Sequence, residues 1–276
     1  MVETLVSNHR PRIAIVVTFF GSPPFWLPAF LLSCRLNPDV TWIIYTDFEL
    51  AMPLPPNVTL KSIGLHDFEA RASKVLGTKI VIVKRRQICD LKPVYGLMFA
   101  EDLQPFDFWA YSDLDIIWGD VRQFMTDSIL EQYDIVSSRE NKLSGHFTLV
   151  RNSTRTNRLF ELIPRVSQKM AALRYSHLDE RELTHHLKEH SASAQPHESF
   201  RVYWPRELTV DAAYQRALRA DKSLTLWWRD GKTFNAEGQE VMYLHFHKLK
   251  QTMNTINFGF DDAPGAFKVN SAGVWV

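Results

Sequence analysis

Three short runs, RIAIVVT at 12–18, TWIIYTD at 41–47 and FDFWAYSDLD at 106–115, are apolar almost throughout and rich in β-branched and aromatic residues. A run without polar alternation predicts a strand buried on both faces, and such strands separated by helices build a mostly parallel sheet covered on each side. Helices are predicted over 24–36, with proline near the start, and over 66–76 and 92–103, with a further strand over 57–63. Pro53, Pro55 and Pro56 mark the loop before that strand. Beyond residue 132, YDIVSS and HFTLVRN read as strands, followed by helices near 154–173 and 179–190. LTLWWRD, a turn at Asp230-Gly231 and EVMYLHFH suggest a late strand pair, and the last 20 or so residues are expected to close over the site. Sheets of this kind bind ligands beyond the carboxyl ends of their strands, so polar residues at strand ends matter most.

The totals exclude several classes. Among 276 residues, 45% are hydrophobic and 23% charged, the composition of a folded, soluble chain. Lys and Arg total 32 against 31 acids, which leaves no excess positive field for a nucleic-acid backbone. Cys34 and Cys89 are too few for a disulfide framework and form no C-x-x-C pair, so reduced thiols are expected. The start, MVETLVSNHRPR, is not a secretory signal, and no apolar run reaches the roughly 18 residues of a membrane helix. A cytoplasmic protein without a transmembrane segment is expected. The sequons at Asn57 and Asn152 are set aside on that ground.

In YSDLDIIWGD, strand alternation turns Asp113 and Asp115 to one face and Leu114 to the other. Hard divalent cations such as Mn²⁺ or Mg²⁺ are commonly shared between one or two carboxylates and substrate phosphates. A D-x-D pair alone is equally a solvated strand end. Here an apolar strand precedes it and Ile116-Ile117-Trp118 follows, and buried acids need a partner. In YLHFHKLK, His245 and His247 likewise share a face, with Leu244 and Phe246 on the other. Neutral imidazole ligates Mn²⁺, although single strand histidines more often serve the core or surface. Lys248 and Lys250 follow, either as surface residues or as positive charges for a departing diphosphate.

These blocks in order, CDLKPVYGLMFAEDL, FDFWAYSDLDIIWGDV, SGHFTLVRN and YLHFHK, resemble the GT-A glycosyltransferases. More narrowly they are similar to a bacterial glycosyltransferase-like family, related in pattern to glycogenin-like and to capsular and mannosyl transferases with D-x-D. The resemblance implies a single domain over 11–276 after a tail at 1–10. Its nucleotide-binding half would cover about 11–120 and its acceptor or sugar half about 121–276. It implies Asp115 as a direct metal ligand, Asp113 on the metal or on the donor's ribose and sugar, and His247 as the distal ligand. Thr18, Phe19 and Asp47, at the ends of the first two strands, would cradle the nucleoside, though Thr18 and Phe19 fit a core equally well. Lys92 is a donor contact or the start of a helix whose Pro93 sits early.

Ser144-Gly145-His146 lies between two predicted strands, either as a plain turn or as a place where sugar hydroxyls find partners. Asp179 and Glu180 open a helix; the resemblance puts an acid near donor sugar or acceptor there, while Asp179 alone is also a good N-cap. The expected reaction is attack of an acceptor hydroxyl on the anomeric carbon of a nucleotide-sugar, with a metal stabilising the leaving diphosphate. Asp179 or Glu180 is the candidate base if the sugar inverts; the resemblance favours retention and a uridine diphosphate sugar. The acceptor, whether glycan, lipid-linked sugar or small-molecule natural product, is open. Two rivals are a nucleotidyltransferase, for which FFGSPPFW is a poor phosphate cradle, and a non-catalytic glycan-binding module stacking sugars on Trp227-Trp228.

Overall fold

The computed structural model describes residues 10–276 apart from 51, 194, 196, 197, 207, 211, 222 and 223; the expected tail at 1–10 lies, except for Arg10, outside the described residues. Strands β1 (Ile13–Phe19), β2 (Val40–Thr46), β3 (Val58–Ser62) and β4 (Phe108–Ser112) are parallel, in the order β3-β2-β1-β4. After β5 (Ile116–Trp118), strands β6 (Ile135–Ser137), β7 (Phe147–Arg151) and β8 (Val202–Tyr203) extend the sheet beyond β4 as β7-β6-β8, with β7 alone reversed. β1 is apolar throughout because both its faces are covered. Ile13, Ile15 and Val17 enter one core with Phe30 and Leu31 of α1 (Leu27–Arg35). Ala14 and Val16 enter a second with Phe68 and Ala72 of α2 (Leu65–Leu76).

Two predicted helices are broken. The segment over 92–103 becomes short helical pieces, Ile88–Leu91, Lys92–Val94, Tyr95–Met98 and Ala100–Leu103. Pro93 brings no amide hydrogen to this segment, and its first turn carries Lys92 into the interior, 3% exposed. The segment over 154–173 divides into Thr156–Leu162 and Val166–Met170, because Pro164 holds Ile163 extended and Arg165 adopts a left-handed backbone.

The late chain departs further from expectation. β9 (Leu226–Arg229) turns at Asp230-Gly231 into β10 (Lys232–Phe234), not into the histidine strand. EVMYLHFH splits into β11 (Glu240–Val241), which joins β10, and β12 (Tyr243–His245), which pairs antiparallel with β5. The final residues form β13 (Thr255–Ile256), β14 (Ala266–Val269) and β15 (Gly273–Trp275), completing a second, six-stranded sheet instead of a cover for the site. Trp228 is fully buried, stacked on Phe267 at 4.7 Å, while Trp227 is 40% exposed, so the two tryptophans do not form one glycan platform. The Trp228 indole N–H donates to the Trp118 carbonyl at 3.0 Å, tying this sheet to β5.

Asp134, 6% exposed, joins β6, β7 and β8 by accepting from the Arg201 amide and from the guanidinium groups of Arg151, Arg155 and Arg201 at 3.0–3.3 Å. Burial alone would raise its carboxyl, but these donors outweigh it and hold the group below its ordinary value. A depressed carboxyl contributes stability that is present above the unfolded value near pH 4 and is lost as pH falls through the folded value. Asp134→Asn is therefore expected to cost about 1–3 kcal/mol in urea unfolding at pH 7. The gap to the parent should narrow below about pH 4; a cost that is the same at both pH values would refute the charge argument.

Candidate active site

Asp113 and Asp115 sit in the bend between β4 and β5 at the carboxyl end of the sheet. Three hydrogen bonds fix this bend. The Asp113 amide donates to the His146 carbonyl at 3.3 Å, the Phe246 amide to the Asp115 carbonyl at 3.1 Å, and the Trp26 indole to the Leu114 carbonyl at 3.0 Å. Leu114 is buried in the core, so the residue between the acids anchors them.

The β12–β5 ladder brings the histidines to the acids. His245 Nε2 lies 3.5 Å from Asp115 Oδ1, His247 Nδ1 4.0 Å from Oδ2, and Lys250 Nζ 2.6 Å from Oδ2. One donor atom each from Asp115, His245 and His247 falls within 4.8 Å of the others. Asp115 is 4% exposed, and the buried His245 Nε2 makes no hydrogen bond. Burial would raise the Asp115 carboxyl, but His245 and Lys250 hold it well below the usual range. A carboxylate and two imidazoles with a buried nitrogen lacking a partner fit a divalent transition ion such as Mn²⁺. Asp113, expected on the metal or on the donor's ribose and sugar, is not part of this three-residue cluster: its Oδ1 is bound by Lys92 and its Oδ2 lies 3.8 Å from His245.

Lys92 joins the two sides of the site. Its ammonium contacts Asp113 and donates to the Gly145 carbonyl at 2.6 Å. Burial would lower it, but the Asp113 carboxylate beside it keeps the ammonium charged. The Gly145 amide donates to Glu180 Oε1 at 3.0 Å, and a methyl group at Gly145 would collide with Asp179 Oδ2, so only glycine admits this approach. Asp179 lies on a π-helical turn, Leu178–Glu182, of the kind often found at functional sites. Asp90, unforeseen in the sequence, holds the approach to that turn by accepting from the Ser176 and Leu178 amides at 2.6 and 2.7 Å. Asp179 is 1% exposed, and burial, reinforced by Glu180, raises its carboxyl well above the usual range.

Two adjoining cavities meet at Lys92 and Asp113. The larger, about 400 Å³, is walled by Thr18, Phe19, Phe20 and Trp26, with Arg85, Arg86 and Lys250 as its cations. The smaller, about 200 Å³, reaches past Gly145 and His146 to Arg139, Tyr175, His177 and Asp179. Thr18 bonds the Tyr95 hydroxyl at 2.6 Å and Phe19 packs edge-on against Phe48, and both still line the larger cavity. Asp47, Ser144 and Lys248 line neither. Asp47 accepts from the Gly21 amide at 2.6 Å, and Ser144 is fully buried beside Thr148. The arginines escaped the sequence reading, although Arg85-Arg86 stands just before the D-L-K-P block that drew attention to Lys92.

The mostly parallel sheet, flanked by helices and carrying the site at its carboxyl end, has the architecture of the GT-A glycosyltransferases. Mouse xyloside xylosyltransferase 1, in its apo form, superposes with a TM-score of 0.50 at 10% identity, covering 86% of this chain and 98% of that one. An active-site mutant of LgtC gives 0.48 at 10% identity over 85% and 87% of the two chains. A glycosyltransferase involved in glycosylation of the major capsid of PBCV-1 gives 0.45 at 10% over 86% and 94%. The chain belongs to the family of unknown function DUF6625, whose profile matches residues 15–271. No curated protein matches its sequence. Among the described residues, no helix is long and apolar enough to cross a membrane.

Proposed function

We propose that this chain is a metal-dependent glycosyltransferase that moves a sugar from a nucleotide-sugar, with uridine diphosphate favoured, onto an acceptor hydroxyl with retention. The observation that carries the reading is the Asp115, His245 and His247 donor set at the strand end, beside two joined cavities of unequal size. Asp115, His245 and His247 would hold Mn²⁺ or Mg²⁺, which would supply positive charge to a departing diphosphate. Arg85, Arg86 and Lys250 add positive charge along the larger cavity, where Phe19 and Trp26 offer faces for a nucleoside. Lys92 orients Asp113 toward the donor and fixes the Gly145 carbonyl at the entrance to the smaller cavity.

Retention agrees with the state of the two candidate bases. Burial raises the Asp179 carboxyl and so disfavours the carboxylate that would serve as a base, and Glu180 already accepts from the Gly145 amide. We take residues 11–276 as one domain, its two halves meeting at the site.

The direct test is thermal unfolding with a panel of nucleoside diphosphates and nucleotide-sugars, with and without Mn²⁺. A ligand at about 100 times its Kd stabilises the folded chain by about 2.7 kcal/mol, a shift of several degrees at this size. A metal-dependent shift with a uridine nucleotide is expected. Absence of any metal-dependent shift across the panel would sink the reading.

A further inference from the structure

We propose that the smaller cavity recognises a sugar that carries a carboxylate, bound through Arg139 and His146. This deepens the transferase reading and rests on it. The cavity, about 200 Å³, suits a single sugar ring, and it opens onto the larger cavity at Lys92 and Asp113.

The wall presents buried nitrogens that nothing among the described residues satisfies. Arg139 is half-buried; its Nε is shielded from solvent and donates to no acceptor, and no carboxylate among the described residues forms an ion pair with it. His146, 4% exposed, is stacked on His245 at 4.1 Å, and its Nδ1 lies 2.8 Å from the Tyr243 hydroxyl. Its Nε2 is buried and has no partner. A guanidinium Nε–H and an imidazole nitrogen, both without partners, thus line one small cavity.

Two acids of the same wall are already engaged: Asp113 is bound by Lys92, and Glu180 accepts from the Gly145 amide. A second guanidinium, Arg86, lies over the Tyr175 ring at 4.5 Å and lines both cavities. A neutral hydroxyl would accept one of these hydrogen bonds but leave the half-buried guanidinium charge uncompensated. A carboxylate supplies two acceptor oxygens and the opposite charge together, which is the chemistry arginine is best suited to bind. The carboxylate can belong to the donor sugar, as in a nucleotide-linked uronic acid, or to an acidic residue of the acceptor.

Calorimetric titration of the full chain with Mn²⁺ separates these sources. One arm compares UDP-glucuronate and UDP-galacturonate with UDP-glucose and UDP-galactose. The other compares methyl glucuronide with methyl glucoside in the presence of UDP. The expected result is a preference for the acid of about tenfold or more in one arm, the scale of one charge-assisted contact. Arg139→Met should reduce that ratio to about twofold and Arg139→Lys should keep part of it, with circular dichroism verifying that each variant is folded. Equal affinity for acid and neutral sugars in both arms, or a preference that survives Arg139→Met, overturns the inference and leaves the transferase reading standing. Failure of every nucleotide to bind overturns both.

Discussion

Replacing Asp115 with asparagine is expected to abolish metal-dependent nucleotide binding while the chain still folds. The amide keeps the shape of the carboxylate but removes the charge that faces His245, His247 and Lys250. Changes even to residues that only support metal ligands cost 10–100-fold in affinity, so loss of a direct ligand should weaken nucleotide binding in Mn²⁺ by about 100-fold or more. Calorimetric titration with UDP, with and without Mn²⁺, checks this, and unchanged affinity would remove Asp115 from the metal site. The folded-state effect has a sign as well. Because the Asp115 carboxyl is held below its ordinary range, its stabilising contribution is present above about pH 4 and disappears as pH falls through the folded value. The parent chain should therefore lose stability in acid more steeply than Asp115→Asn does.

Lys92→Met should be the most destabilising single change near the site. Lys92 is 3% exposed, and its ammonium satisfies both the Asp113 carboxylate and the Gly145 carbonyl. Removing it leaves the Gly145 carbonyl without its donor and the Asp113 carboxylate, whose side chain is 31% exposed, without its counter-charge, at a cost of about 3 kcal/mol, the lower end for a buried pair. For a chain of this length that corresponds to a fall in Tm of roughly 10 °C. Methionine preserves most of the volume, so a cavity does not explain such a loss. A Tm within a degree or two of the parent would mean that Asp113 is well solvated and that Lys92 does not hold the two cavities in register.

Much of the central sheet was legible because burial on both faces imposes a pattern that few other structures share. The run from Ile13 to Phe19 has almost no polar interruption, and its alternate side chains enter two different cores. The histidines were legible for a related reason: Leu244 and Phe246 are fully buried, which turns His245 and His247 together toward Asp115. Strand partners were not legible. LTLWWRD, KTF and EVMYLHFH all have strand character, and the choice among them depends on distant contacts such as the Trp228 bond to Trp118. The breaks at Pro93 and Pro164 lay in helical patterns whose apolar spacing continues across them. Arg85, Arg86 and Arg139 could not be told from solvated surface residues, because only the fold brings them to the two cavities. Asp113 and Asp115 look equivalent in D-x-D, and only the structure gives them different surroundings, with Lys92 on Asp113 and the two histidines beside Asp115.

The pairing of β12 with β5 also bears on the order of assembly. Positions 115 and 245 lie at opposite ends of a long intervening stretch of chain, and contacts of high sequence separation form late because closing large loops is entropically costly. During synthesis, β1 to β4 can collapse around their helices well before the histidine strand leaves the ribosome. The growing chain would then pass through a period in which the sheet exists but Asp115 has neither imidazole beside it. A chain ending before Tyr243 would keep the early strands and lose both histidines of the candidate donor set, so on the proposed reading premature termination in this region should yield material that retains secondary structure and binds no metal.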